Sequence, residues 1–198
     1  MIEAPARPIF AAYPHLAGHV PWVPLVDLPT PVERLATTGG GIKRDDLSHP
    51  RYGGNKMRKL EFIVGEWRRD RIRKVVTFGA TGTNAGVATA LLCRDEDIAC
   101  EVLLFDQPDS PVARANYAAM VALGARLRHC GPLAAAYLAF RLHPDRLRGD
   151  TYFLFAGCAN PPATLAYVNA AFELAAQVQR GDLPEPVDLA VIATPAEH

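Results

Sequence analysis

The chain has 198 residues, 49% of them hydrophobic and 21% charged, with Lys+Arg and Asp+Glu balanced at 21 each. That is material for one large domain or two small ones, and a formal net charge of zero argues against a nucleic-acid binder, which would carry a basic excess or stripe. No run reaches the roughly 20 apolar residues of a membrane span, nor does a basic region precede an apolar core at the N-terminus, so the expectation is a cytoplasmic protein with no membrane partner.

In chain order, the first forty residues carry Pro5, Pro8, Pro14, Pro21, Pro24, Pro29 and Pro31. Proline rules out a long helix or a central strand there, and the expected form is an irregular arm. From Met57 on, Leu60, Ile63, Val64 and Trp67 recur at three- and four-residue steps, the mark of a helix with one apolar face. The basic cluster from Arg68 to Lys74 is interrupted by Asp70 and reads as a solvated helix end. Strands are predicted at Lys74–Phe78, Cys100–Phe105, Arg126–Cys130, Tyr152–Phe155 and Val187–Ala193. Helices are predicted at Asn84–Cys93, at Val112–Leu123 before Gly124, at Leu133–Leu142, and at Thr164–Gln179 before Gly181.

Strands alternating with helices imply βαβ crossovers, so the class is α/β with a mainly parallel sheet. Ligands of such sheets gather beyond the carboxyl ends of the strands. The loop after Phe78 is Gly79-Ala80-Thr81-Gly82-Thr83-Asn84-Ala85-Gly86. Small residues expose its amides, a helix N-terminus behind it favours negative charge, and Thr83 and Asn84 add side-chain hydrogen bonds. The same residues could equally serve as a plain helix cap. Cys93, Cys100, Cys130 and Cys158 include no CxxC pair and the histidines no HExxH, so buried free thiols and no metal are expected.

One lysine stands out. Gly53-Gly54-Asn55-Lys56 places Lys56 just behind a flexible turn, at the start of the amphipathic helix, where a ligand can approach the backbone closely. With Lys43-Arg44-Asp45-Asp46 before it and Met57-Arg58-Lys59-Leu60-Glu61-Phe62 after it, the segment resembles the signature of the pyridoxal-phosphate enzymes that include 1-aminocyclopropane-1-carboxylate deaminase and D-cysteine desulfhydrase, of the tryptophan-synthase-β-like fold (fold type II).

The resemblance implies a three-layer sandwich around a parallel sheet, with pyridoxal 5'-phosphate as cofactor and a small amino acid as substrate, undergoing elimination or deamination. By position, Lys56 matches the family's imine-forming lysine. The family's Gly-x-x-x-Ser-Asn motif falls on Gly79 to Asn84: Asn84 matches the asparagine that contacts the cofactor's ring hydroxyl, and Thr83 replaces the serine beside the substrate. Ala85 replaces a polar residue, which leaves the substrate open. The implied division is residues 1–55 as arm and first part of a large domain, 56–160 as a small α/β domain, and 161–198 as a return into the large domain.

Arg58, Lys59 and Glu61 read as the polar face and ion pairs of the lysine helix, and Asp45 and Asp46, adjacent at a strand end, as structural rather than paired catalytic carboxylates. Where the family has a glycine-rich phosphate loop, this sequence runs Ala193-Thr194-Pro195-Ala196-Glu197-His198, so the C-terminal part of the large domain is expected to be missing. A homo-oligomer or a complementing C-terminal chain would then be the partner. Two other readings stay open. Val75–Gly82 resembles the opening strand and turn of extended short-chain dehydrogenases that bind NAD(P); or the chain is a non-catalytic remnant or interaction module with an exposed sheet edge.

Overall fold

The structure, a computed structural model, describes residues 7–35 and 40–183. The arm holds a short helix α1 (Pro8–Ala12) and a two-stranded antiparallel ribbon of β1 (Val32–Arg34) and β2 (Gly41–Lys43). Then come α2 (Asn55–Arg69), β3 (Lys74–Ala80), α3 (Asn84–Asp95), β4 (Ala99–Phe105), α4 (Pro111–Ala122), β5 (Arg126–Gly131), α5 (Leu133–Arg141), β6 (Thr151–Leu154) and α6 (Ala163–Gln179). The arm is thus less irregular than its prolines suggest, because Pro8 sits in the first turn of α1, where its missing N–H costs nothing. The predicted strand Val187–Ala193 lies outside the described residues.

β3 to β6 form one parallel sheet in the order β5-β4-β3-β6. Its central strands β3 and β4 are buried and mostly apolar on both faces, as a sheet covered on both sides requires, whereas the edge strand β5 is more polar and more exposed. Val75, Val102 and Leu104 join Met57, Leu60, Ile63, Val64, Trp67 and residues of α3 and α4 in one core. Val76, Phe78 and Leu103 point the other way, to Phe140 of α5. The chain steps outward from β3 to β5 and then returns to the far side of β3 to make β6. A right-handed crossover that reverses its direction along the sheet must use the opposite face, which is why α5 sits apart from α3 and α4.

Arg58 and Glu61 depart from the expected polar face, being 3% and 1% exposed. The Arg58 guanidinium bonds the Asp45 carboxylate at 2.7 and 3.0 Å and Glu173 of α6 at 2.7 Å. Glu173 also receives Lys43 at 2.5 Å and the Thr30 amide at 2.8 Å. Glu61 takes Arg7 and the Leu25 amide. The signature's charges therefore tie the arm to α2 and α6 inside the protein. Asp46, by contrast, pairs with Arg44 at the surface, and both aspartates lie in a 3-10 turn, Asp45–Leu47, beyond the strand. The basic cluster is exposed as expected at Arg68 and Arg69, which pair with Glu96 and Asp70, whereas Lys74 belongs to β3 and binds Glu101 and Asp145.

α6 is built inside out. Its buried stripe is Ala163, Ala166, Asn169, Glu173 and Gln177. Asn169 accepts the Ile9 amide at 3.0 Å and Gln177 donates to the Thr30 carbonyl at 2.9 Å. Exposed positions hold Tyr167, Val168, Ala171 and Ala175, and the helix's one charged residue, Glu173, faces inward.

Candidate active site

Lys56 reaches the sheet's carboxyl edge by simple geometry. α2 has 15 residues, about 22 Å at ~1.5 Å per residue, and a tight turn feeds it directly into β3. That strand's 7 residues run back about 23 Å at ~3.3 Å each, so the start of α2 stands level with the end of β3. Beside it end β3, from which the chain moves on to β4, and β6, which it adds on the other side of β3. This is the switch point at which α/β sheets hold ligands.

The turn before Lys56 is set by its two glycines for different reasons. Gly54 has φ 107°, a conformation that side chains disfavour. A Cβ on Gly53 would overlap the Asp46 carbonyl. The Gly54 amide donates to the Asp45 carbonyl at 2.6 Å and to the Ser48 hydroxyl at 3.1 Å, so the Arg58–Asp45 pair also anchors the turn.

Lys56 is half-buried, in the first turn of α2, and its Nζ donates to Asn55 Oδ1 at 2.9 Å. The chain's four lysines differ sharply in their partners. Lys43 and Lys74 hold carboxylates, and Lys59 donates to the Gly157 carbonyl at 3.0 Å and lies over the Tyr167 ring. Lys56 has no carboxylate partner among the described residues. Burial pulls its ammonium below the usual lysine range, and the neighbouring Lys59 charge pushes the same way. A neutral amine is the form that adds to an aldehyde.

Thr83 closes the loop after β3 and Asn84 is the first residue of α3. Thr83 is the N-cap, its Oγ1 accepting the Gly86 amide at 3.2 Å. The capping alternative therefore holds for Thr83, whose hydroxyl proton is still free to donate. Asn84 is exposed and accepts at Oδ1 from Asn116 of α4 at 2.8 Å and from the Tyr52 hydroxyl at 3.3 Å. Tyr52 precedes the glycine turn, so its hydroxyl connects the Lys56 segment to Asn84.

Tyr52 and Asn116 carry no signal in the sequence motifs, while Lys59 and Cys158 stand out there only as a charge on the helix face and a buried thiol. Cys158 is buried with φ 56°, close enough to Lys56 and Lys59 to feel both charges, and burial pushes its thiol up to about 11. The four cysteines are free, with Cys93, Cys100 and Cys158 buried and Cys130 partly so. Asn116 left one signal, a lone amide in an alanine-rich helix. A cavity of about 330 Å³ lies farther along the carboxyl edge, between Thr81, Gln107, Asp109 and Arg114, away from Lys56. Its Arg114 is already paired with Asp109 at the surface.

Residues 16–195 match the model of a family described as pyridoxal-phosphate dependent enzyme. The chain is 34% identical to nocardicin C-9' epimerase of Nocardia uniformis subsp. tsuyamanensis, over 86% of this chain and 54% of that protein. It is 31% identical to D-cysteine desulfhydrase of Serratia proteamaculans (strain 568), over 82% and 53%. A crystal structure of an ACC deaminase homologue superposes with a TM-score of 0.69 at 29% identity, covering 89% of this chain and 55% of that one. The chain spans about half the length of the relatives it matches. None of these matches supports the dinucleotide reading of Val75–Gly82. With its parallel α/β sheet and its lysine turn, the chain belongs to the pyridoxal-phosphate dependent enzymes.

Proposed function

We propose that this chain supplies the lysine-bearing part of a pyridoxal 5'-phosphate-dependent lyase or deaminase acting on a small amino acid of the D-cysteine or 1-aminocyclopropane-1-carboxylate type. The observation that carries this is Lys56: half-buried, with no carboxylate partner among the described residues, and lowered in pKa at the switch point of the sheet. The residues present fit the ring half of the cofactor. Lys56 would bond its aldehyde carbon, and Asn84 would donate to its ring hydroxyl. The cofactor supplies electron withdrawal from the carbon that bears the substrate amine. Lys56, once free, carries a proton to or from that carbon, and the Thr83 hydroxyl contacts the substrate.

The division into residues 1–55, 56–160 and 161–198 belongs to the same proposal, as do a cytoplasmic location and a partner in the form of a second copy or a complementing C-terminal chain. No helix among the described residues is long and apolar enough to cross a membrane. The segment expected to replace the phosphate loop, Ala193 to His198, lies outside the described residues. An epimerising outcome is the second reading, favoured by the 34% identity to an epimerase. It keeps the same lysine and differs in product: an inverted amino acid instead of a 2-oxo acid and ammonia, with sulfide released as well from D-cysteine.

The test is reduction with borohydride after incubation with pyridoxal 5'-phosphate, followed by peptide mapping. Label is expected on Lys56 in preference to Lys43, Lys59 and Lys74, and at a lower pH than an ordinary lysine requires. The sign follows from burial, which disfavours the ammonium and so raises the neutral fraction at any given pH. Equal labelling of all four lysines, or an unchanged pattern in Lys56→Ala, would remove the reading's anchor.

A further inference from the structure

Asn84 can hold a cofactor oxygen only if its NH2 end faces the ligand, and the two ends of an amide look alike in shape. The surroundings settle which end is which. Asn116 Nδ2 lies 2.8 Å from the Gly82 carbonyl oxygen, which can only accept, so this atom of Asn116 must be the nitrogen. Its second proton points to Asn84 at 2.8 Å, and the atom that meets it there must be an acceptor, Oδ1. The Tyr52 hydroxyl lies 3.1 Å from the Asn84 backbone carbonyl and 3.3 Å from Oδ1, and its single proton, shared between these two acceptors, is a weaker cue on the same side. A backbone carbonyl thus orients one amide, which orients the next, and the donor end of Asn84 is left for a ligand.

We infer that Asn116 and Tyr52 are positioning residues of the cofactor site, holding the Asn84 amide with its NH2 group toward an anionic or phenolic oxygen of the ligand. The inference rests on the reading of this chain as a pyridoxal-phosphate protein. It assigns function to α4, an element that carries none of the signature residues. It also makes Tyr52 a strut between the two halves of the site: its backbone leads into the Gly53-Gly54 turn, and its hydroxyl meets the first residue of α3. Without these donors the amide is free to turn, and a carbonyl facing the ligand oxygen would repel it.

Asn116→Asp inverts the cue with little change of shape. A carboxylate at this place accepts but cannot donate, so the Asn84 amide turns its nitrogen toward it and its oxygen toward the ligand. In the chain without cofactor, scalar coupling across the hydrogen bond from the Asn116 Nδ2 protons to Asn84 Cγ reads the orientation directly. It is expected to be present, and its absence overturns the inference whatever the cofactor does.

In titrations with pyridoxal 5'-phosphate, the Asn84 side-chain amide resonances are expected to shift in the wild-type chain. The Kd should rise at least tenfold in Asn116→Asp and less in Tyr52→Phe, and the pH at which the visible absorption band titrates should move in Asn116→Asp. Thermal unfolding of each variant serves as the control for folding, and Asn116→Ser, which restores a short donor, is expected to recover part of the affinity. Cofactor binding that is equally tight in wild type and Asn116→Asp, with an unshifted pH profile, would refute the positioning role and leave the family reading intact. No binding by the wild-type chain, with no label on Lys56, would remove the proposed function and the inference with it.

Discussion

Glu173→Ala is expected to destabilise the protein by about 3–5 kcal/mol, the range seen when one partner of a buried ion pair is removed. Glu173 is 2% exposed and receives Arg58, Lys43 and the Thr30 amide. Removing it strands most of a guanidinium that is itself 3% exposed, and Asp45 compensates only one side of that group. Glu173→Gln keeps the shape and much of the bonding, so it should cost less. Equilibrium urea unfolding of the three forms measures the difference.

The pH dependence has a defined sign. Burial pushes the Glu173 carboxyl up, but the hydrogen bonds and charges of Arg58 and Lys43 outweigh it and hold the group below the usual range. Its stabilising contribution is complete above the unfolded glutamate pKa of about 4.3 and is lost as pH falls through the lower folded value. Glu173→Gln should therefore flatten the acid limb of the stability curve. An acid limb as steep in that variant as in the wild type would place the linkage elsewhere.

Gly53→Ala is expected to disturb the site more than the fold. The added Cβ overlaps the Asp46 carbonyl, and relieving it moves the turn off the Asp45 and Ser48 anchors that bind the Gly54 amide. Overpacking of this kind costs about 1–3 kcal/mol. The larger consequence is positional: Lys56 begins three residues later, so its preferential labelling with pyridoxal 5'-phosphate should disappear. Gly54→Ala tests the other glycine. Nothing lies within 4 Å of a Cβ there, but φ is 107°, so its cost is purely conformational. A Gly53→Ala chain that still labels at Lys56 with wild-type selectivity would show that the turn tolerates displacement.

Much of this architecture is legible in the chain because its signals are local. Val75–Phe78 and Cys100–Phe105 are apolar enough to be central strands, and the three- and four-residue steps from Met57 to Trp67 locate one buried stripe of α2, whose five residues all lie in the main core. Lys56 and Asn84 are marked by motif and spacing. What local signals could not supply is pairing across long separations. Arg58 and Glu61 look like solvent residues until Glu173, 115 positions after Arg58, and Arg7 are brought beside them. The return of β6 to the far side of β3 is likewise decided by crossover handedness and packing, not by any residue in Tyr152–Leu154. Tyr52 and Asn116 belong to no motif, and their roles exist only once α4 lies against the loop after β3.

The reversed polarity of α6 gives it an inverted map of tolerance to mutation. In a saturation scan read out by folding, the hydrophobic positions Val168 and Ala171, exposed in this structure, should accept glutamate or lysine. The polar positions should be the intolerant ones: Asn169→Leu leaves the buried Ile9 amide without its acceptor, and Gln177→Leu removes one of the Thr30 carbonyl's two donors together with an acceptor of Lys43, at about 1–3 kcal/mol each. A helix that scans the ordinary way, sensitive at Val168 and indifferent at Asn169, would mean that α6 is turned half a revolution from the orientation described.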